Sequence, residues 1–313
     1  MHKEIRPIFI FSLPRSGSTL LQRTLASHPM VSTTAETWFL LPLIYMSKDN
    51  GVKTEYGYSK FRKGFNDFRN QIDADNKASY QRLLRQFVLN NYKLASNNNA
   101  IYFLDKTPRY SLICDQIIEM FPHGKFIFLW RNPLAVISSM IESWGKGRWN
   151  VYKYYIDLFD GLNNLINTCS DNEHQIFQIK YEDLVSNPEI HIKEILQYLN
   201  LEYTSNLLSE FNDIDFTGRM GDQTGTDKYS EISVDSIEKW RRTYNTHVRK
   251  KWAYKYLDNI GEKNLNKIGY SISELKNGLN VCPNHFFRLP SDIIRIGYGI
   301  TKQKIKSIIL NNA

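Results

Sequence analysis

Three cysteines in 313 residues, Cys114, Cys169 and Cys282, lie too far apart in the chain for a disulfide framework. Neither they nor the seven histidines show metal-ligand spacing, so no metal site is expected. This cysteine usage suits a reducing, cytoplasmic setting. No segment approaches the roughly 18 uninterrupted apolar residues of a membrane span, so no transmembrane helix is predicted. The opening MHKEIRPIFIFSLPR has too short an apolar run for a signal peptide. Internal repeats and low-complexity tracts are also missing. Acidic residues are outnumbered: 32 Asp and Glu against 40 Lys and Arg give a net charge of +8. That excess suits an anionic ligand, an anionic acceptor or a membrane surface. It would also suit nucleic acid, but the basic residues are spread along the chain and no nucleic-acid-binding signature is present, so none is expected as a partner.

What is present is most informative at Pro7–Leu21, PIFIFSLPRSGSTLL. An apolar strand breaks at Leu13-Pro14, passes through Arg15-Ser16-Gly17-Ser18-Thr19 and opens into a helical pattern. The first backbone N–H groups of a helix have no partner within it, and the helix dipole favours an anion there. Gly17 lets the backbone approach an oxyanion closely. Ser16, Ser18 and Thr19 add hydroxyl donors, and Arg15 adds a fixed fork of charge. The triphosphate version of this loop, G-x-x-x-x-G-K-[ST], is absent, which weighs against a kinase or NTPase. A second strand-to-helix unit, Phe126–Met140 (FIFLWRNPLAVISSM), places Arg131 at a strand end, where its guanidinium can fork onto a phosphate, and Ser139 about two turns into the next helix.

The P-R-S-G-[ST]-T-L-L pattern after a first strand resembles the 5′-phosphosulfate loop of sulfotransferases, which use 3′-phosphoadenosine-5′-phosphosulfate (PAPS) and release 3′-phosphoadenosine-5′-phosphate (PAP). Further segments agree in family order. Arg131 and Ser139 match the 3′-phosphate element. Leu104–Tyr110 (LDKTPRY) resembles the D-K-x-P segment of carbohydrate and tyrosyl-protein sulfotransferases. Lys180–Pro188 (KYEDLVSNP) resembles the Y-E-D-L-x-x-x-P turn, and Lys239-Trp240 a late Lys-Trp pair of the tyrosyl-protein branch. The resemblance implies Glu36 as general base, since its spacing from Arg15 is that of the tyrosyl-protein branch. It implies Lys106, with Arg15, at the bridging oxygen. It implies nucleotide contacts from Tyr181, Lys239 and Thr224, the last in a polar segment, Thr217–Ser233, that suits a loop ordering on binding. Read without the resemblance, Glu36 is foremost a surface ion-pair partner, while the plain alternatives are a surface lysine at Lys106 and a core residue at Tyr181. His28, the one histidine near the first motif, reads as a turn residue rather than a base. The expected acceptor is a carbohydrate or glycoconjugate. A peptide tyrosine or a small molecule is the alternative, and an AT-rich, bacterial source is suggested by the abundance of Asn, Lys and Ile.

The remaining pattern predicts an α/β chain: a three-layer α/β/α, P-loop-type domain with a mainly parallel sheet and helical insertions. It reads as one domain, with a core over about residues 5–245, a helical insertion at 49–100 and an extension at 246–313. Strands are expected at Ile8–Leu13, Ile101–Leu104, Lys125–Trp130 and Gln175–Lys180. Helices are expected at Thr19–Ser27, Ser111–Phe121, Leu134–Ser143, Val151–Cys169 and Glu189–Leu199. The stretch Trp144–Trp149 (WGKGRW) reads as a loop whose aromatic and basic side chains could meet a sugar. In the tail, Phe286–Leu310 mixes Ile and Phe with Arg and Lys, which suits either an interfacial helix or one packed on the domain. Gly297 and Gly299 argue against one long helix there.

Overall fold

Five short strands, β1 (Arg6–Phe11), β2 (Val31–Thr33), β3 (Tyr102–Asp105), β4 (Lys125–Trp130) and β5 (Ile176–Lys180), pair in the order β2-β3-β1-β4-β5, every pair parallel. The structure is a computed structural model and describes residues 4–48, 52, 57–72, 77–212, 214, 216, 234–285 and 288–311. Thr224 and the expected loop at 217–233 lie outside the described residues.

Alternate side chains of each strand point to opposite faces, so an unbroken apolar run feeds two cores at once. One face carries the aromatic set Phe9, Phe11, Phe103, Phe126, Phe128 and Trp130, with Phe9 and Phe126 stacked at 5.9 Å. The other carries the aliphatic set Ile8, Ile10, Leu104, Ile127 and Leu129. The aromatic face is covered by α2 (Leu40–Tyr45), α4 (Lys77–Leu94), α5 (Cys114–Met120), α6 (Pro133–Ser143) and α7 (Leu162–Asp171). The aliphatic face is covered by α1 (Ser18–Ala26), α8 (Tyr181–Ser186) and α9 (Pro188–Leu199). The result is the expected α/β/α sandwich. Helix α3 (Tyr58–Ile72) precedes α4 in the predicted insertion. Helices α10 (His247–Ile260), α11 (Glu262–Lys267), α12 (Ile272–Asn280) and α13 (Leu289–Asn311) complete the chain.

Strands β1 and β4 lie side by side, yet the chain leaves β1 toward β2 and leaves β4 toward β5. Their carboxyl ends therefore flank the switch point, where ligands bind in such sheets.

Three local expectations are corrected. Residues 151–169 do not form one α-helix. A 3₁₀ turn (Val151–Tyr154) and a π-helical turn (Ile156–Gly161) precede α7. Residues 111–121 likewise divide into a 3₁₀ helix, Pro108–Leu112, and α5. In the tail, α13 runs unbroken through Gly297 and Gly299. Gly299 is tolerated because Tyr152 packs against it, and an added Cβ there would lie 2.8 Å from Tyr152 Cβ.

Candidate active site

The loop after β1 is shaped by two residues of positive φ, Arg15 at 69° and Gly17 at 89°. Such alternation turns successive N–H groups into one concavity, an anion-binding arrangement. Gly17 is the N-cap of α1 and no side chain caps that helix, which leaves its first-turn amides to an external anion. Ser16, Ser18 and Thr19 are all buried in this turn. A side chain at position 17 is excluded sterically: an added Cβ would lie 2.3 Å from the Tyr181 ring.

The second cation arrives from β4. The Asn132 side chain caps α6 by accepting from the Leu134 and Ala135 N–H groups, and Pro133 occupies the first helical turn. This fixes Arg131 at the strand end, where its NH1 donates to the Arg15 carbonyl at 2.8 Å. Its guanidinium lies 4.3 Å from the Tyr181 ring centroid. Arg131 Nε is buried with no hydrogen-bond partner among the described residues, a donor that an incoming phosphate oxygen would satisfy. Arg15 Nε donates to Ser139 Oγ at 3.2 Å, so Ser139 does reach the loop from the second turn of α6. Tyr181 is buried beneath this group, its hydroxyl 2.7 Å from Ser236 Oγ. The sequence thus brings Arg15, Gly17, Arg131, Ser139 and Tyr181 to one place.

A third cation joins them to the candidate base. Lys106, which follows β3, is only 2% exposed, so it is no surface lysine. Its Nζ lies 2.9 Å from Glu36 Oε1 and 3.4 Å from Thr19 Oγ1, between the phosphate loop and the carboxylate. Trp38 Nε1 donates to the other Glu36 oxygen at 3.2 Å. Trp38 has a φ of 55°, a costly conformation for a bulky residue, and its backbone N–H donates to Thr107 Oγ1 at 3.3 Å.

The fixture behind Glu36 and Lys106 is Asp105, which sequence reasoning passed over although it stands in the D-K-x-P segment. Asp105 is fully buried and accepts from Tyr92 at 2.6 Å, Thr37 at 2.8 Å and Tyr110 at 3.0 Å. Burial pushes its pKa up, and these hydrogen bonds pull it back toward the ionised form. Asp105 is bonded through the chain to Lys106, and Thr37 to Glu36, so one carboxylate sets the spacing of both. A comparable tie explains the Y-E-D segment. Glu182 accepts from the Asn132 N–H at 3.0 Å and from Tyr270 at 2.6 Å, joining the ends of β4 and β5.

Lys239 begins a 3₁₀ helix and is exposed, while its neighbour Trp240 is buried against Tyr244. His28 is a turn residue: its Nδ1 accepts from the Met30 N–H at 3.1 Å, and burial lowers its pKa. The Trp144–Trp149 loop is corrected in part. Trp149 is buried, edge-on to Tyr244 and Trp252, and cannot meet a ligand, whereas Trp144 is half exposed.

The chain is similar to known proteins along much of its length. The family model described as "Sulfotransferase family" matches residues 7–205. Nodulation protein NoeE of Sinorhizobium fredii is 29% identical over 149 residues, 46% of this chain and 34% of NoeE. A putative protein-tyrosine sulfotransferase of Caenorhabditis briggsae is 24% identical over 275 residues, 86% of this chain and 90% of that protein. Protein-tyrosine sulfotransferase 1 of Danio rerio is 25% identical over 247 residues, 76% of this chain and 66% of the fish protein. Among solved structures, the sulfotransferase domain from the curacin biosynthetic pathway shares the fold. Its TM-score is 0.53 at 22% identity, with 82% of this chain and 97% of that domain covered.

Proposed function

Because the chain belongs to the sulfotransferase family of PAPS-dependent enzymes, we propose that it transfers the sulfuryl group of PAPS to a hydroxyl of a carbohydrate or glycoconjugate, with Glu36 as general base. The observation that carries this reading is the position of Lys106 Nζ, 2.9 Å from Glu36 and 3.4 Å from Thr19 of the phosphate loop.

The donor supplies an activated sulfuryl group joined to a 5′-phosphate through a bridging oxygen. The chain's own groups fit such a molecule: a glycine-only cradle at residue 17, three cations and an unsatisfied buried donor on Arg131. In this reading the loop amides with Ser16, Ser18, Thr19 and Arg15 hold the 5′-phosphosulfate. Arg131 and Ser139 hold the 3′-phosphate, and Tyr181 flanks the nucleotide. Glu36 takes the acceptor's proton as the acceptor oxygen bonds to sulfur. Lys106 and Arg15 meet the negative charge that grows on the bridging oxygen as its bond to sulfur breaks. Fixed cations aimed there stabilise the transition state more than the ground state. Lys239 and Thr224 are proposed as further donor contacts on the strength of the resemblance alone.

A sugar acceptor is favoured by Trp38, a partly exposed indole fastened beside Glu36 on which the apolar face of a sugar ring can stack. A peptide tyrosine is the second reading, favoured by the names of the relatives matched over most of the chain.

Calorimetric titration with PAP, against ADP and ATP, tests the donor site. Tight binding that depends on the 3′-phosphate is expected, and a preference for ATP would overturn the reading. Glu36→Gln should abolish PAP release from PAPS in the presence of acceptor while leaving PAP affinity within about twofold. Arg131→Ala should weaken PAP by roughly 2 kcal/mol or more, as loss of a charge-assisted pair does. The reverse pattern would mean that the two sites have been exchanged. Supplying PAPS with oligosaccharides and with tyrosine peptides in parallel decides the acceptor class.

A further inference from the structure

The described contacts of helix α13 with the body lie along one side of it. Asp292 accepts from Arg249 Nε at 2.7 Å and NH2 at 3.0 Å, and both residues are buried. Arg295 donates to Asn150 Oδ1 at 2.7 Å, and the Tyr298 ring meets Tyr152 edge-on at 5.3 Å. With Gly299 seated under Tyr152, these contacts fix the rotation of the helix about its axis. The opposite side carries Ile293, Ile294 and Ile300, which are 53%, 71% and 50% exposed. At 100° per residue these three fall within one arc of about 120°. An apolar stripe on a helix already docked elsewhere marks an interaction surface.

Charge identifies what covers it. Asp292 is the one acidic residue between Leu289 and Asn311, and it is buried against Arg249. Arg295, half-buried, and Lys302, exposed, lie beside the stripe. Arg288, just ahead of the helix, donates to the Gly147 carbonyl, which joins the start of α13 to the loop bearing half-exposed Trp144 and exposed Lys146. Apolar and aromatic side chains ringed by cations match a bilayer with anionic headgroups. A second copy of the chain would set this basic stripe against another of like charge, in a molecule with a net charge of +8. Among the described residues no helix is long and apolar enough to cross a membrane, so α13 would lie in the surface.

We propose that α13 docks this protein on an anionic lipid surface, through the stripe Ile293–Ile300 and its flanking Lys and Arg residues. The proposal is independent of the sulfuryl-transfer reading. The full chain is sedimented with vesicles of phosphatidylcholine containing phosphatidylglycerol, and with vesicles of phosphatidylcholine alone. Binding to the anionic vesicles alone is expected, falling steeply as salt is raised. Ile293→Glu/Ile294→Glu should lower partitioning at least tenfold. Both sites are exposed, so an unchanged melting curve and unchanged PAP affinity confirm that the variant is folded. Equal binding to both vesicle types, or none, overturns the proposal. So does a concentration-dependent dimer, detected by light scattering, that the double variant abolishes, because it assigns the stripe to a second copy.

Discussion

At Gly17 one missing carbon decides whether the phosphate loop can form. The residue needs a φ of 89°, and the space a Cβ would take is filled by Tyr181 at 2.3 Å. Tyr181 has no room to yield, being held by Ser236 below and by Arg131 over its ring. Gly17→Ala should therefore weaken PAP by at least about 2 kcal/mol, combining the left-handed backbone cost with the clash. In a Tyr181→Ala background the same change should cost about 1 kcal/mol, since only the backbone term is left. Calorimetry on the two pairs separates the terms, and an alanine at 17 that binds PAP like the parent would contradict this account. Trp38 is the opposite case. A bulky residue is held at a φ of 55° because its indole and its amide both find partners, on Glu36 and Thr107. Strain of this kind persists only where surrounding contacts over-determine it.

Among the elements, the π-helical turn Ile156–Gly161 departs most from local expectation. Its extra residue brings Asp157 into the core, where Oδ1 lies 2.7 Å from Arg109 Nε, three residues beyond Lys106. The same turn seats Gly161 against Ser111, where an added Cβ would lie 2.8 Å from the hydroxyl. Such turns are frequent at functional sites, and this one clamps the loop that carries Lys106. Burial pushes the Asp157 pKa from 3.8 up to about 6, with Arg109 opposing the rise. A carboxyl whose pKa is raised by folding binds more protons in the folded state than in the unfolded state. Its contribution to stability is therefore full below about pH 4 and is lost as the pH rises to about 6, by up to about 3 kcal/mol. Asp157→Asn removes this dependence. The difference in melting temperature between variant and parent should drift in the variant's favour from pH 4 to pH 6 and then level off. A constant offset across that range would show that Asp157 titrates normally.

Across the whole molecule, a buried ion pair locks two of the C-terminal helices, α10 and α13, to each other, and its arginine reaches on to the loop after α6. Arg249 of α10 reaches Asp292 of α13 and also donates to the Thr243 and Gly147 carbonyls. Asp292→Ala leaves a buried guanidinium without its counter-charge, which costs about 3–5 kcal/mol. A fall in melting temperature of roughly 5–8 °C is expected for a chain of this length. The double change Arg249→Met/Asp292→Leu should recover most of that loss, because an apolar pair of similar volume avoids the uncompensated charge. Differential scanning calorimetry decides it, and a double variant no more stable than the single one would show that the hydrogen bonds to the carbonyls matter more than the charge pair.

The sequence by itself determined the parallel sheet, its two helical layers and the positions of Arg15, Lys106 and Arg131 at strand ends. Those features are written in local terms: uninterrupted apolar runs, a proline and an asparagine at the start of α6, a glycine at the start of α1. Only the tertiary structure decided that Asp105 would hold Thr37 and Tyr92, that Trp149 would be buried while Trp144 is exposed, and that the helix after residue 150 would take a π turn. It also decided that α13 would run through two glycines. Each of these outcomes depends on a partner distant in the chain: Asp105 on α4, Trp149 on α10, Asp157 on Arg109 and Gly299 on Tyr152. Propensity and periodicity act over a few residues, and a buried carboxylate or a close backbone approach is specified only by what the folded chain brings beside it.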